Sequence, residues 1–448
     1  MIEFAEINNK LTKEQKQAVG ILSIGTFLEY FDLMLYVHMA VLLNDLFFSK
    51  TDSFSAQLLS AFSFCATFVF RPIGALLIGW LGDTYGRKYT IILTTCMMSI
   101  SCIAMASLPT YEQVGITASI ALTLCRVLQG MSSMGECVGA EIYLSELIRP
   151  PKVYPSVAFI CIGSYFGTMV ALFVAKLSIS ENFNWRVAFL IGAIVAFIGM
   201  FARRRLRETP DFADAKRELH RICDNLKINK EKLKESLVYT QKINKKSAIS
   251  LFFIQLASPV FHMYFIYIHG ANVLKNSFAY TSAQIINHNF IISLIDLSSV
   301  ILITYLVSFI PPLKILKTKF FFAILFLLTI PFLLNNISSV FEFALIQLFV
   351  IFFMPSEFPA SPIFYKAFPV LQRFKSVCLI FAISRALMYV ISSFGIVYLI
   401  KYFGNLGLLF LFIPVIIGYG FGLFHFVNLE KQEEEEESIY IQKNIEIA

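Results

Sequence analysis

Apolar stretches of about 20 residues recur from one end of this chain to the other, and each is long enough to cross a bilayer core of about 30 Å. That recurrence leaves few folds open. In hydrocarbon a backbone must satisfy its own hydrogen bonds, so each stretch is expected to be a helix. A soluble domain would need polar helix faces, and most of these segments have none. Of the 448 residues 57% are hydrophobic and only 15% charged, with the charges clustered between apolar runs. The chain therefore reads as an all-α membrane protein. Spans are expected near 18–42, 56–81, 89–108, 114–144, 153–176 and 186–202, then near 247–269, 282–309, 318–335, 340–358, 376–400 and 405–428. That is twelve transmembrane helices in two six-helix halves, 1–202 and 247–428. A polar central loop, 203–246, joins them, and an acidic tail, 429–448, follows.

The basic residues set the orientation. On one side lie Arg87 and Lys88, Arg149 and Lys152, Lys314, Lys317 and Lys319, and Lys366, Arg373 and Lys375. The central segment adds Arg203, Arg204, Arg205 and Arg207 to that side. The opposite loops hold only Lys50, Lys176, Lys275 and Lys401. The basic side is expected to be cytoplasmic, and an even helix count puts both termini there. Residues 1–17 are polar and mixed in charge. They lack the basic start, short apolar core and small-residue cut site of a cleavable signal, so the first apolar run is expected to remain. The run Glu433–Glu437 reads as a solvated, disordered tail rather than a site. The eight cysteines are scattered, mostly inside apolar runs and without a CxxC pair. They read as packing residues, with neither disulfide nor metal implied.

Two features carry chemistry. The first is the stretch Arg71 to Lys88, an apolar helix that ends in a short charged loop. Gly74 and Gly79 allow a neighbouring backbone close by. Gly82 and Gly86 punctuate a turn, and Asp83, Arg87 and Lys88 sit where helix meets water. The second is ionisable residues within the membrane. Glu29, Asp32 and Tyr36 lie at i, i+3 and i+7 of the first span and share a face. At 1.5 Å per residue Asp32 lies roughly 20 Å from the cytoplasmic start, and Arg126 of the fourth span lies roughly as deep from the other side. A buried carboxylate needs a partner, so Asp32 and Arg126 are expected to pair. The pair is either structural or part of an ion or substrate path. With one arginine for two acids, Glu29 is left to carry a proton near neutral pH. Gln129 and Glu136 follow Arg126 on the same helix. Glu141 and Tyr143 approach the cytoplasmic surface. In the second half, Asp296 and Arg385 are buried candidates. His262 reads as a packing histidine, and Glu357, beside Pro355 and Pro359, as water-exposed.

The loop pattern Gly79-x-x-Gly82-Asp83-x-x-Gly86-Arg87-Lys88 resembles the signature loop between helices two and three of the major facilitator superfamily of transporters. Gly25-x-x-x-Glu29-Tyr-Phe-Asp32-x-x-x-Tyr36 is similar to the first-helix motif of its metabolite:proton symporter branch. That branch imports proline and glycine betaine, α-ketoglutarate, citrate, shikimate and related solutes. Arg126-x-x-Gln129-Gly130 with Gly135-Glu136 resembles the branch's fourth helix. Asn184-Trp185-Arg186 and Arg203-Arg-Arg-Leu-Arg-Glu208-Thr209-Pro210 resemble its sixth helix and central loop. The likeness runs in order over residues 25–212. Thr84 stands where the loop often has Arg, and Met134 where the fourth helix usually has Gly. The fifth span lacks the Gly-Pro pair of many exporters, which leans toward uptake. The loop after span eight, Pro311 to Lys319, lacks the signature pattern, so the second half repeats the first in hydropathy but not in motif.

The resemblance implies a secondary transporter in a bacterial inner membrane, binding a small polar solute and protons near the midplane between halves. Glu29, Asp32, Tyr36, Arg126, Gln129, Glu136, Asp296 and Arg385 are the candidates for coupling and binding. Gly79, Asp83, Gly86, Arg87 and Lys88 are the candidates for a gate. No Gly-rich Lys-Ser/Thr phosphate loop is present, so the proton gradient is the expected energy source, with no cofactor. A monomer that contacts lipid, and no nucleic acid, is expected. An exporter or exchanger is the alternative within transport. A nutrient sensor that has lost transport is another, and a membrane enzyme ranks last because no nucleophile or metal motif is present.

Overall fold

The computed structural model describes residues 10–47, 67–178, 184–226 and 242–447. Lys50, the first part of the second expected span (56–66) and residues 227–241 of the central segment lie outside them. Twelve helical segments can be followed among the described residues. Spans one to three are Lys13–Phe47, Arg71–Thr84 and Arg87–Ser107. Span four is Ile116–Glu136, continued after a break at Cys137 by Val138–Leu147. Spans five and six are Val153–Ser178 and Trp185–Arg203. In the second half, span seven runs through Lys245–Ser258, a π-helical stretch Pro259–His269, and Gly270–Phe278. Span eight is Ser282–Leu306. Span nine is bent between Pro312–Leu327 and Ile330–Asn336. Span ten is Val340–Phe353, span eleven runs from Val370–Val390 to Ile396–Phe403, and span twelve is Gly407–Ile447. Among the described residues seven helices are by themselves long and apolar enough to cross a membrane, or eight with the bent pair counted as one. The remaining crossings are short, broken or more polar.

Ile194, Phe197, Ile198 and Phe201 recur at helical spacing on span six and are exposed, as a face toward lipid requires. Trp80, Tyr85 and Tyr89 cluster at the basic end of spans two and three, the first pair edge to face and the second tilted, where amphipathic rings suit the membrane–water boundary. Span two packs along span eleven and span five along span eight, and these contacts join the halves. A polar helix, Pro210–Leu226, lies against the basic end of spans four and eleven.

Four expectations are corrected. Arg203, read as a loop residue, ends span six and is fully buried, because Glu136 holds it. Lys319, read as a loop cation, is buried within span nine. Glu357, read as water-exposed, has a side chain only 14% exposed and pairs with Arg385. The acidic run does not end the helical order, since span twelve continues to Ile447. Glutamate, lysine and glutamine are good helix formers, and Glu433 to Glu436 sit on solvent-exposed turns of that helix.

Candidate functional site

The first span carries two acids that find different arginines. Asp32 Oδ2 accepts a hydrogen bond from Arg126 Nη1 at 3.0 Å, and Asp32 Oδ1 accepts one from Gln129 Nε2 at 2.8 Å. Gln129 Oε1 in turn accepts from Arg126 Nη1 at 2.8 Å. The Arg126 guanidinium lies 4.0 Å from the centroid of the Tyr36 ring. Asp32, Tyr36, Arg126 and Gln129 thus form one sealed cluster, as expected of residues at matching depth. Glu29 does not share it. Its Oε1 meets Arg71 Nη2 at 3.4 Å, a long contact, and its Oε2 has no partner. The reading of a single arginine for two acids is therefore corrected, because Arg71 on span two supplies a second. Glu136 stands apart, toward the basic face. Arg203 Nη1 lies 2.6 Å from it, and the hydroxyls of Thr94 and Thr95 donate to it at 3.2 and 2.7 Å.

A cavity of about 70 Å³ lies between the halves beside Glu29. The second half contributes Asp296 and Arg385 to its wall, and the first contributes Glu29 and Arg71. Tyr30, Tyr165, Tyr267 and Tyr389 supply aromatic surface, together with Phe68 and Phe381. Tyr267 donates to Asp296 Oδ2 at 3.2 Å. Arg385 bonds Glu357 at 2.8 Å and the Gln255 carbonyl at 2.9 Å, and its guanidinium sits 4.6 Å from the Phe381 centroid. His262 reaches the cavity from the π-helical stretch of span seven, where the widened turn displaces side chains from their ordinary register. Lys319 lies behind this wall, within electrostatic reach of Asp296 and Glu357.

The charged loop makes a second assembly at the basic face. Gly79 brings span two against span eleven, since a Cβ there would stand 2.7 Å from Lys375 Cα. Asp83 accepts backbone N–H groups of Phe374 at 3.3 Å and Lys375 at 2.9 Å, near the start of span eleven, where the helix dipole favours an anion. Arg87 is fully buried and uses all five of its donors. Two go to Glu146, at 3.1 and 3.0 Å, one to Asp83 at 3.0 Å, and one each to the carbonyls of Gly82 and Val370. Glu146 also takes Arg373 of the second half at 3.2 Å and the Thr209 hydroxyl at 2.7 Å. Gly86, at φ 120°, lies where a side chain would be strained and would collide with Glu208. That space admits Glu208, which accepts the Arg87 N–H at 2.9 Å. Lys88 is half-buried and makes no ion pair with a described residue.

A family model described as Major Facilitator Superfamily matches residues 22–368. The chain belongs to that superfamily. A proline/betaine transporter of Salmonella typhimurium is 35% identical over 205 residues, 44% of this chain and 41% of that protein. One from Escherichia coli is 32% identical over 206 residues, again 44% and 41%. The chain spans less than half the length of these curated relatives. Among solved structures, the proton:xylose symporter XylE bound to 6-bromo-6-deoxy-D-glucose superposes with a TM-score of 0.70 at 16% identity, covering 93% of this chain and 95% of that one. That likeness concerns the fold alone.

Within this superfamily fold, Arg71, Glu146, Glu208 and Lys319 are site residues that reading the sequence passed over. Glu146 and Glu208 had a signal, as acids one or two turns from charged motifs. Their partners lie 59 and 121 residues away in sequence. Removing the Asp83 carboxylate unties span two from the backbone of span eleven and leaves one arm of Arg87 without its acceptor. Asp83→Ala is therefore expected to insert at normal abundance and to transport poorly, because the closed basic side loses a latch. Normal uptake by a correctly inserted variant would reject that role.

Proposed function

We propose that the protein is a secondary transporter that imports a small polar metabolite together with protons. It would act as a monomer in a bacterial inner membrane, with the basic face and both termini cytoplasmic. The observation that carries this reading is the cavity between the halves, which presents both signs of charge and aromatic walls. A zwitterion such as proline or glycine betaine fits that chemistry. Its carboxylate would meet Arg385 or Arg71, and its ammonium would meet Asp296 and the tyrosine faces, where cation–π attraction operates. The names of the two bacterial relatives support the same class. The proton gradient supplies the energy, and no cofactor takes part.

Glu29 is the proton carrier in this scheme. It lines the cavity, with one unpartnered oxygen and a long contact from the other to Arg71. Asp32, by contrast, is tied by Arg126 and Gln129. The test is uptake into proteoliposomes of labelled betaine, proline, α-ketoglutarate and citrate, with and without an inward proton gradient. Betaine or proline is expected to be concentrated only when the gradient is present. Accumulation of none of the four in response to the gradient would sink the proposal.

A further inference from the structure

Six described acids are buried in the first half: Glu29, Asp32, Asp83, Glu136, Glu141 and Glu146. Five of them hold an arginine. Glu141 makes no ion pair with any described residue. It sits on Val138–Leu147, beyond the break in span four, on the way from the cavity to the basic face. Its Oε2 accepts the Tyr365 hydroxyl at 2.7 Å, and Tyr365 belongs to Ser361–Lys366 of the other half. This bond crosses the interface that must part if the basic side opens.

We propose that Glu141 is the site from which the transported proton leaves on the cytoplasmic side. The inference rests on the symport reading above and adds a second proton-binding group to it. With the gate closed, an anion at Glu141 would be buried without a cation, which is costly. The neutral acid keeps the bond, since its carbonyl oxygen still accepts from Tyr365. The other groups that face Glu141 do not supply a net positive charge. Glu357 and Arg385 offset one another, and the Cys137 and Cys161 thiols and the Ser361 hydroxyl are neutral. When the halves part, Tyr365 withdraws and water reaches the carboxyl. Its O–H bond then breaks, the proton passes to water, and a hydrated carboxylate remains. An ordinary glutamate titrates near about 4.3, so release at a neutral cytosol is complete. On the next cycle a proton handed on from Glu29 restores the acid. Cys137 lies within electrostatic reach of both carboxyls.

The test uses the full chain in proteoliposomes, with external pH fixed and internal pH varied. For the wild type, acidifying the interior is expected to slow uptake, because release is opposed. Glu141→Gln keeps a hydrogen-bond acceptor for Tyr365 but cannot release a proton. It is expected to lose accumulation, about tenfold for a one-unit gradient at one proton per solute. Its dependence on internal pH should vanish, while solute exchange stays within about twofold of wild type, less than half a pH unit in equivalent free energy. Were Glu141 only a structural acceptor, E141Q would accumulate like the wild type with the same internal-pH dependence, and the proposal would be overturned. Should E141Q lose exchange as well, Tyr365→Phe decides. It retains the carboxyl and removes a bond that holds the closed form, so opening and the release coupled to it become easier: an internal-pH midpoint lowered by about one unit supports the proposal and an unmoved midpoint refutes it. If the wild type shows no gradient-driven uptake at all, the symport reading itself has failed, which is a different result from either of these.

Discussion

Replacing Glu29 by glutamine is expected to abolish proton-driven accumulation while solute exchange down its gradient continues. The amide imitates the protonated acid in shape and in its ability to accept from Arg71, so the cavity wall should keep its form. It cannot give the proton up, so the cycle loses its coupling. The contact it replaces is long, at 3.4 Å, and the second oxygen is unpartnered, so little binding energy is lost with the charge. Uptake by the wild type should rise as the outside is acidified, whereas E29Q should be flat. Asp32→Asn is expected to behave differently. It leaves Arg126 buried without its anion, and breaking such a pair typically costs about 3–5 kcal/mol, so binding and folding suffer together. An E29Q protein that still accumulates solute with unchanged pH dependence would move the carrier elsewhere, to Asp296 or Glu136 first.

The contrast between these two acids was only half legible in the chain. Depth along a helix follows from counting residues, so the Asp32–Arg126 pair could be read in advance. Arg71 could not, because hydropathy reports how apolar a segment is and not which way one residue on it points. The same limit explains Lys319, which counts as a loop cation in sequence but sits inside span nine. Arg203 is a related case: a charge one residue beyond an apolar run looks solvated until its partner, Glu136, is known. The worn second half has a physical explanation too. Asp83 grips span eleven through backbone N–H groups, and Arg87 reaches a backbone carbonyl there. Backbone groups are present whatever the side chains are. The second half can therefore lack the signature pattern and still complete the latch that the first half's motif supplies.

Glu146 offers the largest expected effect at that latch. It is fully buried and receives Arg87 twice, Arg373 and Thr209. One acid thus offsets guanidinium groups from both halves and ties in the central segment. Glu146→Ala leaves Arg373 with only the Phe368 carbonyl among these bonds, and leaves Arg87 with Asp83 and two carbonyls. Two arginines would then face each other with one fewer anion between them. A buried pair broken on one side costs about 3–5 kcal/mol, and most of that cost falls on the closed form, because opening hydrates both cations. The equilibrium should shift toward the state open on the basic side. Cys378 reports it: its thiol is buried on span eleven, 3.8 Å from the Met134 carbonyl of span four. In a protein with Cys378 as its single cysteine, E146A is expected to raise maleimide labelling from the basic side by at least about tenfold, a modest part of what that free energy allows. Net uptake should fall in parallel. Arg149→Ala is the matched control. Arg149 pairs with Asp211 at 2.8 Å, but its side chain is 73% exposed, and such surface pairs are worth about 0–1 kcal/mol. Labelling and uptake should barely change there. If E146A labels no faster than wild type and transports normally, Glu146 is a bystander, and the latch rests on Asp83 and the backbone of span eleven alone.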